Sequence, residues 1–279
     1  IEAMRGEPGS DIQVTVVKVG DSTPTNLTLT REIIKVASVR HKFIEEGYGY
    51  LRVAQFQSGT GDEVHKAIIQ LKDEGDLSGL IIDLRNNPGG VLQSAVAVSD
   101  VFIADGLIVY TAGRLANSEF RYNATTPDLI SGVPIVVLVN GGTASASEIV
   151  AGALQDHGRA IVMGTNTFGK GSVQTILPLN NEKAIKLTTA RYFTPSGKSI
   201  QAEGIVPDIW VERSKVTPVK SNPWTVKEKN LSKHLSADEN NKHVKEGSMQ
   251  LAAKDYQLNE ALTLLKGLNI LGNTKTPKG

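Results

Sequence analysis

Residues 133–148 read Val133-Pro-Ile-Val-Val-Leu-Val-Asn-Gly-Gly-Thr-Ala-Ser-Ala-Ser-Glu148, and this stretch decides the fold. A continuous apolar run from Ile135 to Val139 ends at Asn140-Gly141-Gly142. A short β-branched run bounded by glycine reads as a buried strand. The small residues that follow, leading into Glu148, Ile149, Val150, Ala151 and Leu154, read as a helix with Thr143 or Ser145 near its first turn. The product is a strand–turn–helix. Its helix N-terminus, with unpaired N–H groups and a partial positive charge, sits where a nucleophile would be delivered. An isolated serine at such a turn is more often an N-cap than a nucleophile, so the stretch does not settle its own chemistry.

Moving outward, Thr167-Phe-Gly-Lys-Gly-Ser-Val-Gln174 shifts the balance. Lys170 lies among Phe168, Gly169, Gly171 and Val173, where it has no obvious solvated helix face to occupy. A lysine acts as a general base only when neutral, a state that burial favours. The glycines let the backbone come close, and the apolar neighbours are expected to supply the desolvation. A Ser–Lys dyad is a variant of the nucleophile–base pair. Ser145 and Ser147 both compete for the first role. Two residues along a helix turn a side chain by about 200°, so only one of them can meet Lys170, and the residues alone do not choose.

Acyl transfer also needs donors for an oxyanion. Ala146 N–H, at the helix N-terminus, is one candidate. The second is expected from Asn87-Pro-Gly-Gly90, a tight turn after a buried strand, where Gly89 or Gly90 can expose its amide unhindered by a side chain. A Ser–His–Asp arrangement through Asp156 and His157 fails on distance. Twelve helical residues rise roughly 18 Å, against the about 3 Å of a hydrogen bond. The remaining histidines show no ligand spacing, so neither metal nor cofactor is expected, and Asp83 and Arg85 read as structural.

Gly142-Thr-Ala-Ser-Ala-Ser-Glu148, with Lys170 twenty-five residues beyond Ser145 and Gln174 four beyond the lysine, resembles the carboxyl-terminal processing (tail-specific) proteases, which carry a Ser–Lys(–Gln) site. The likeness continues in Leu84-Arg-Asn-Asn-Pro-Gly-Gly90, in Tyr192-Phe-Thr-Pro-Ser-Gly-Lys-Ser-Ile200 and in Gly204-Ile-Val-Pro-Asp208. It covers roughly residues 1–210, with four separated motifs in order. The resemblance implies a crotonase-like α/β sandwich as the protease core. It also selects Ser145 over Ser147 as nucleophile, Lys170 as general base and Gln174 as the group that orients the lysine. It further implies a PDZ domain just before the core, protein or peptide substrates bound by their C-terminal region, and an exported, periplasm-like location in bacteria. An adaptor protein in some members and assembly into homo-oligomers are implied as well. Two rivals stand beside it: a catalytically silent or adaptor-dependent scaffold that binds protein tails, and a crotonase-like acyl-CoA enzyme. The intact Ser145, Lys170 and Gln174 set argues against the first, and the lack of a second phosphate-binding turn argues against the other.

Composition narrows the rest. The 279 residues can bury a sizeable core, and 30 Lys and Arg against 29 Asp and Glu, scattered, give no reason to expect nucleic acid. With no cysteine, disulfides, a thiol nucleophile and thiolate metal sites are excluded. No apolar run approaches the roughly 20 residues of a membrane span, and the stretch from Ile1 onward is not expected to act as a signal peptide. The abrupt opening Ile1-Glu-Ala-Met-Arg-Gly6 reads as the end of a helix, so a fragment is expected, with any export signal outside it.

Three segments are expected. Residues 1–30, with strands at 12–19 and 27–29, form the C-terminal remnant of the PDZ domain. Residues 31–213 form the protease core. Its strands are expected at 36–43, 47–56, 79–84, 107–111, 135–139, 160–163, 173–177 and 184–192, with helices at 60–74, 91–103 and after Ser145. Residues 117–129 read as a loop or short hairpin. Strands alternating with helices imply an α/β fold with a largely parallel sheet. Residues 214–279 form a polar linker followed by an amphipathic helix over 255–268. Alone that helix would be marginal, so it must pack either on its own core or on a second subunit.

Overall fold

Strand register explains how one sheet comes to serve two apolar layers. The computed structural model describes residues 4–17, 19–20, 23–32, 37–114, 119–179, 183–217, 251 and 254–273. The chain divides into two units, Ile1–Ala37 and Ser38–Gly279. In the first, β1 (Asp11–Val16) and β2 (Thr25–Thr30) pair antiparallel. Arg31 closes the base of this hairpin through Ser10 Oγ at 2.9 Å and the Asp11 carbonyl at 3.0 Å. The polar stretch expected as linker from Lys227 to Gly247 lies outside the described residues.

The second unit contains β3 (Val39–Glu45), β4 (Tyr48–Val53), α1 (Thr60–Glu74), β5 (Gly79–Asp83), α2 (Leu92–Asp100), β6 (Leu107–Gly113) and β7 (Phe120–Asn123). It continues with β8 (Ile135–Val139), α3 (Ala146–Asp156), β9 (Ala160–Gly164), β10 (Ser172–Pro178), β11 (Ala184–Phe193), β12 (Ile209–Trp210) and α4 (Tyr256–Asn273). Six strands form one sheet in the order β12-β9-β8-β5-β4-β3. All neighbours in it are parallel except β3, the hairpin partner of β4.

β5 and β8 are buried along their whole length, which is why they read as unbroken apolar runs. Their side chains alternate between faces. Leu80, Ile82, Ile135, Val137 and Val139 join the large core under α1, α2 and α3, whereas Ile81, Val136, Leu138 and Met163 face the opposite side. There Leu258, Ala261, Leu262 and Leu265 of α4, at helical spacing, complete a second core. The C-terminal helix therefore packs on its own core, and it runs on to Asn273, past the expected end at 268.

Two further expectations are revised. The helix expected over 91–103 stops at Asp100. Phe102 and Ile103 amides both return to the Ser99 carbonyl, at 3.0 and 3.1 Å, in a buried turn. The parallel arrangement also holds for one sheet only. β10-β11-β6-β7 form a second, antiparallel sheet, which hairpin connections can build without a crossover helix. No helix among the described residues is long and apolar enough to cross a membrane.

A buried polar cluster ties α4 to the sheet. Asp83, at the end of β5, accepts from Tyr50 Oη (2.8 Å), Arg52 Nη1 (2.8 Å) and Arg85 Nε and Nη2 (3.0 and 2.7 Å). Arg85 then reaches across to Asp255 through Nη1 (2.9 Å) and Nη2 (2.7 Å), and to Gln257 Oε1 (3.0 Å). Burial pushes the Asp83 carboxyl up, but the bonds and charge of Arg85, with the charge of Arg52, outweigh it and hold it below the ordinary range. Asp255 is likewise raised by burial and pulled lower overall by Arg85.

Both groups therefore ionise more readily in the folded chain. Their stabilisation is present above the unfolded carboxylate pKa and drains away as pH falls through the lowered folded values. Thermal unfolding midpoints should accordingly fall less steeply for Asp255→Asn than for the parent between about pH 5 and pH 3. Parallel curves would show that the pair contributes nothing to acid sensitivity.

Candidate active site

The candidate residues leave the carboxyl ends of three adjacent parallel strands, the edge at which open α/β sheets hold their ligands. β5 leads into Arg85–Gly90, β8 into Asn140–Ser145, and β9 into the segment carrying Lys170. The first two turns are stitched together. Asn140 Oδ1 accepts from the amides of Asn86 (2.9 Å) and Gly142 (3.0 Å), and Thr143 Oγ1 donates to the Leu84 carbonyl at 2.8 Å. Asn87, fully buried, receives Ala144 N–H on its carbonyl at 2.9 Å and donates Nδ2 to the Val53 carbonyl at 2.8 Å.

Ser145 is the N-cap of α3 and adopts φ 58°, ψ −116°. A non-glycine residue at positive φ, between a strand and a helix, turns its side chain out of the chain path at a cost of order 1–3 kcal/mol. Its surroundings impose the conformation. The Ser145 amide donates to Glu148 Oε2 at 2.7 Å, and Phe168 N–H donates to the Thr143 carbonyl at 2.9 Å. Ser147, by contrast, is completely buried, and its one hydroxyl proton is shared between the carbonyl oxygens of Asn87 (2.8 Å) and Ala144 (2.9 Å).

Glu148 joins the serine turn to the lysine segment. It is fully buried one turn into α3. Its Oε2 accepts from Ser145 N–H (2.7 Å) and Lys170 N–H (2.9 Å), and its Oε1 accepts from Thr167 Oγ1 (2.5 Å) and Gly169 N–H (2.6 Å). Two amides held on one oxygen bring the backbone nitrogens of Ser145 and Lys170 within about 5.6 Å of each other. Thr167 carries the link onward, its Oγ1 accepting from Ile205 N–H at 2.7 Å, which gives the Gly204-Ile205 motif a structural purpose. Sequence reading had not singled out Glu148. The signal was its Ser145-x-x-Glu148 spacing, that of a capping box.

The other candidates are placed less simply. Lys170 has an exposed side chain and neighbouring Phe168 is 67% exposed, so the desolvation expected from apolar neighbours is not present. The glycines on either side set the backbone against Glu148, through the Gly169 amide, and against Gln201, beside Gly171. Gln174 is exposed on β10, at the bulge that follows Val173. Gly89, φ 94°, is pressed against the serine turn. A Cβ there would lie 2.6 Å from the Ala144 carbonyl oxygen and 2.9 Å from Ala146 N, so only glycine fits. Its amide donates to Asn87 Oδ1 at 2.9 Å. Gly90 packs on the Phe56 carbonyl, which a Cβ would meet at 2.0 Å. Ala146, the first residue of α3, has an amide with no intrahelical acceptor. His157 sits at the far end of the helix with Nε2 2.7 Å from the Leu107 carbonyl oxygen, away from Ser145.

Peptidase family S41 matches residues 47–211, more than half of the chain and every candidate site residue just described. The chain belongs to peptidase family S41. Among similar proteins, a carboxy-terminal-processing protease of Bartonella bacilliformis is 46% identical over 274 residues, covering 96% of this chain and 63% of its own. The carboxyl-terminal-processing protease of Synechocystis is 40% identical, over 75% of this chain and 49% of its own. The chain thus spans from about half to less than two thirds of those relatives' length. The structure of a photosystem II D1 C-terminal processing protease superposes with a TM-score of 0.58 at 34% identity, covering 74% of this chain and 57% of that one.

Because each Glu148 oxygen takes two donors, Glu148→Gln sets a donor amide against donors in either orientation. A loss of about 2–4 kcal/mol of unfolding free energy is expected from urea titration. A loss below about 0.5 kcal/mol, the range of an ordinary surface substitution, would show that the carboxyl group is not the joint between the two segments.

Proposed function

We propose that this chain carries a serine endopeptidase centre that cleaves protein substrates near their C-termini through an acyl-enzyme. Ser145 Oγ attacks the scissile carbonyl while the neutral Lys170 amine accepts the hydroxyl proton. The tetrahedral oxyanion takes hydrogen bonds from Ala146 N–H and from the Gly89–Gly90 turn. Collapse breaks the C–N bond, and Lys170 returns the proton to the leaving amine. Lys170 then takes a proton from water, which attacks the ester carbonyl; the C–Oγ bond breaks, the proton passes from Lys170 to Ser145 Oγ, and the carboxylic acid product leaves. Gln174 orients the lysine.

The observation that carries this reading is the shared acceptor. One Glu148 oxygen holds the amides of both Ser145 and Lys170, so the dyad residues start from a common anchor. The strained φ of Ser145, the buried non-catalytic arrangement of Ser147 and the names of the similar proteins support it. The crotonase-like classification of the core, the PDZ origin of residues 1–30, an exported bacterial location and control by an adaptor or by self-assembly rest on the family likeness.

A second reading, a latent enzyme that a partner or substrate must complete, is favoured by two observations. Lys170 is exposed, and the Gly89 amide is engaged by Asn87 Oδ1. A substrate strand laid over Lys170 would desolvate it, and release of Asn87 would free the amide.

Degradation of an unfolded model protein by the chain, Ser145→Ala and Lys170→Ala, followed on a gel, separates these outcomes. Cleavage by the parent alone, with each variant down by about 10³-fold or more, supports the dyad. Activity only when a partner protein is added, again lost in both variants, supports latency. Persisting cleavage by Ser145→Ala overturns the nucleophile assignment.

A further inference from the structure

Arg85 stands one residue before the turn Asn86–Gly90 and uses all five of its N–H donors. Nε and one Nη2 hydrogen go to Asp83 of its own strand. The other three reach Asp255 and Gln257, 170 and 172 residues further along the chain. The Arg85 side chain is 13% exposed, and Asp255 binds it through both carboxylate oxygens, the geometry that best fixes its direction.

The same cleft is lined by Asn86 and Asn140, the pair that sets the serine turn against the glycine turn. Besides Gln257 Oε1, which already accepts from Nη1, the lining of that cleft offers Asn140 Oδ1 and Asn86 Oδ1 as neutral acceptors to a guanidinium N–H that loses Asp255. Taking either one would pull on Asn86, already held at φ 55°, and through it on Gly89, which abuts Ser145.

We infer that Asp255, at the start of α4, is a positioning residue for the catalytic turn. By saturating Arg85 it keeps the Asn86–Asn140 link intact and the Gly89–Gly90 backbone in register with Ser145, so that docking of the C-terminal helix is a condition of full turnover. The inference rests on the proposed oxyanion role of that turn. Displacement of a reacting geometry by about 1 Å can cost 10²-fold in rate, so a cluster that touches no substrate can still govern kcat.

Asp255 also caps α4, accepting Leu258 N–H at 3.1 Å, and the test separates this duty from the first. Asp255→Ser keeps a good cap but is too short to grip Arg85. Leu262→Ala loosens the same helix in its buried face and leaves Arg85 untouched. With the full chain and an unfolded fluorogenic protein substrate, Asp255→Ser should lower kcat about 10-fold or more with KM within about twofold. It should slow modification of Ser145 by a small fluorophosphonate in parallel, whereas Leu262→Ala, assayed where it remains folded, should keep the parent kcat.

Parent kcat in Asp255→Ser, or an equal loss in Leu262→Ala, overturns the inference. Should Asp255→Ser fail to fold, Asp255→Asn decides: it keeps the cap and one neutral acceptor, so a smaller fall in kcat at constant KM supports the inference and parent kcat overturns it. Cleavage or fluorophosphonate labelling that survives in Ser145→Ala would instead remove the site reading itself, whatever Asp255 does.

Discussion

A single buried carboxyl group, that of Glu148, has to find a hydrogen-bond donor for each lone pair or destabilise the core by several kcal/mol. Four donors answer it, and they come from two segments that the Phe168 N–H to Thr143 carbonyl bond also joins: the helix N-cap at Ser145, and Thr167, Gly169 and Lys170 beyond β9. The requirement works in both directions. The amides of Ser145, Gly169 and Lys170 would be unsatisfied without the carboxyl group, and the carboxyl group could not stay buried without them. Strain at Ser145 persists because this over-determined junction leaves it no alternative.

The junction can form only because parallel strands deliver their turns to one edge. β5, β8 and β9 are consecutive in space, with Asp83 opposite Leu138 and Leu138 opposite Met163, so the loops that follow emerge side by side. Small residues then permit the approach. Gly89 and Gly90 stand where any Cβ would collide with the serine turn or with Phe56. What looks in sequence like a run of weak punctuation is, in space, the set of positions where backbones meet at van der Waals distance.

Much of this was legible from the chain alone, for identifiable reasons. α1 spans Thr60–Glu74, as its apolar spacing and terminal Gly75 indicate, and the buried strands β5 and β8 follow from unbroken apolar runs. Grouping Ser145, Lys170 and the Asn87–Gly90 turn comes from the family resemblance, while the glycines beside each mark where the backbone must bend sharply. The gaps are equally physical. Glu148 looks like an ordinary helix former until its burial is known. The exposure of Lys170 depends on how far Phe168 swings outward, which no local pattern encodes. Arg85 and Asp255 are 170 residues apart, and a contact of that separation leaves no periodicity to read. The antiparallel second sheet was hidden for a related reason: strand spacing reports that a strand exists, not which neighbour it chooses.

The two-faced character of the main sheet also bears on how the chain acquires its fold. Ile81, Val136, Leu138 and Met163 belong to strands complete by residue 164, yet the helix that covers them begins at Tyr256. During synthesis at about 5–20 residues per second, several seconds or more separate the emergence of that apolar face from the arrival of its cover. Through that interval the nascent chain presents a flat, greasy sheet surface, and so a stretch of its biogenesis in which association with a holdase competes with association with its own kind.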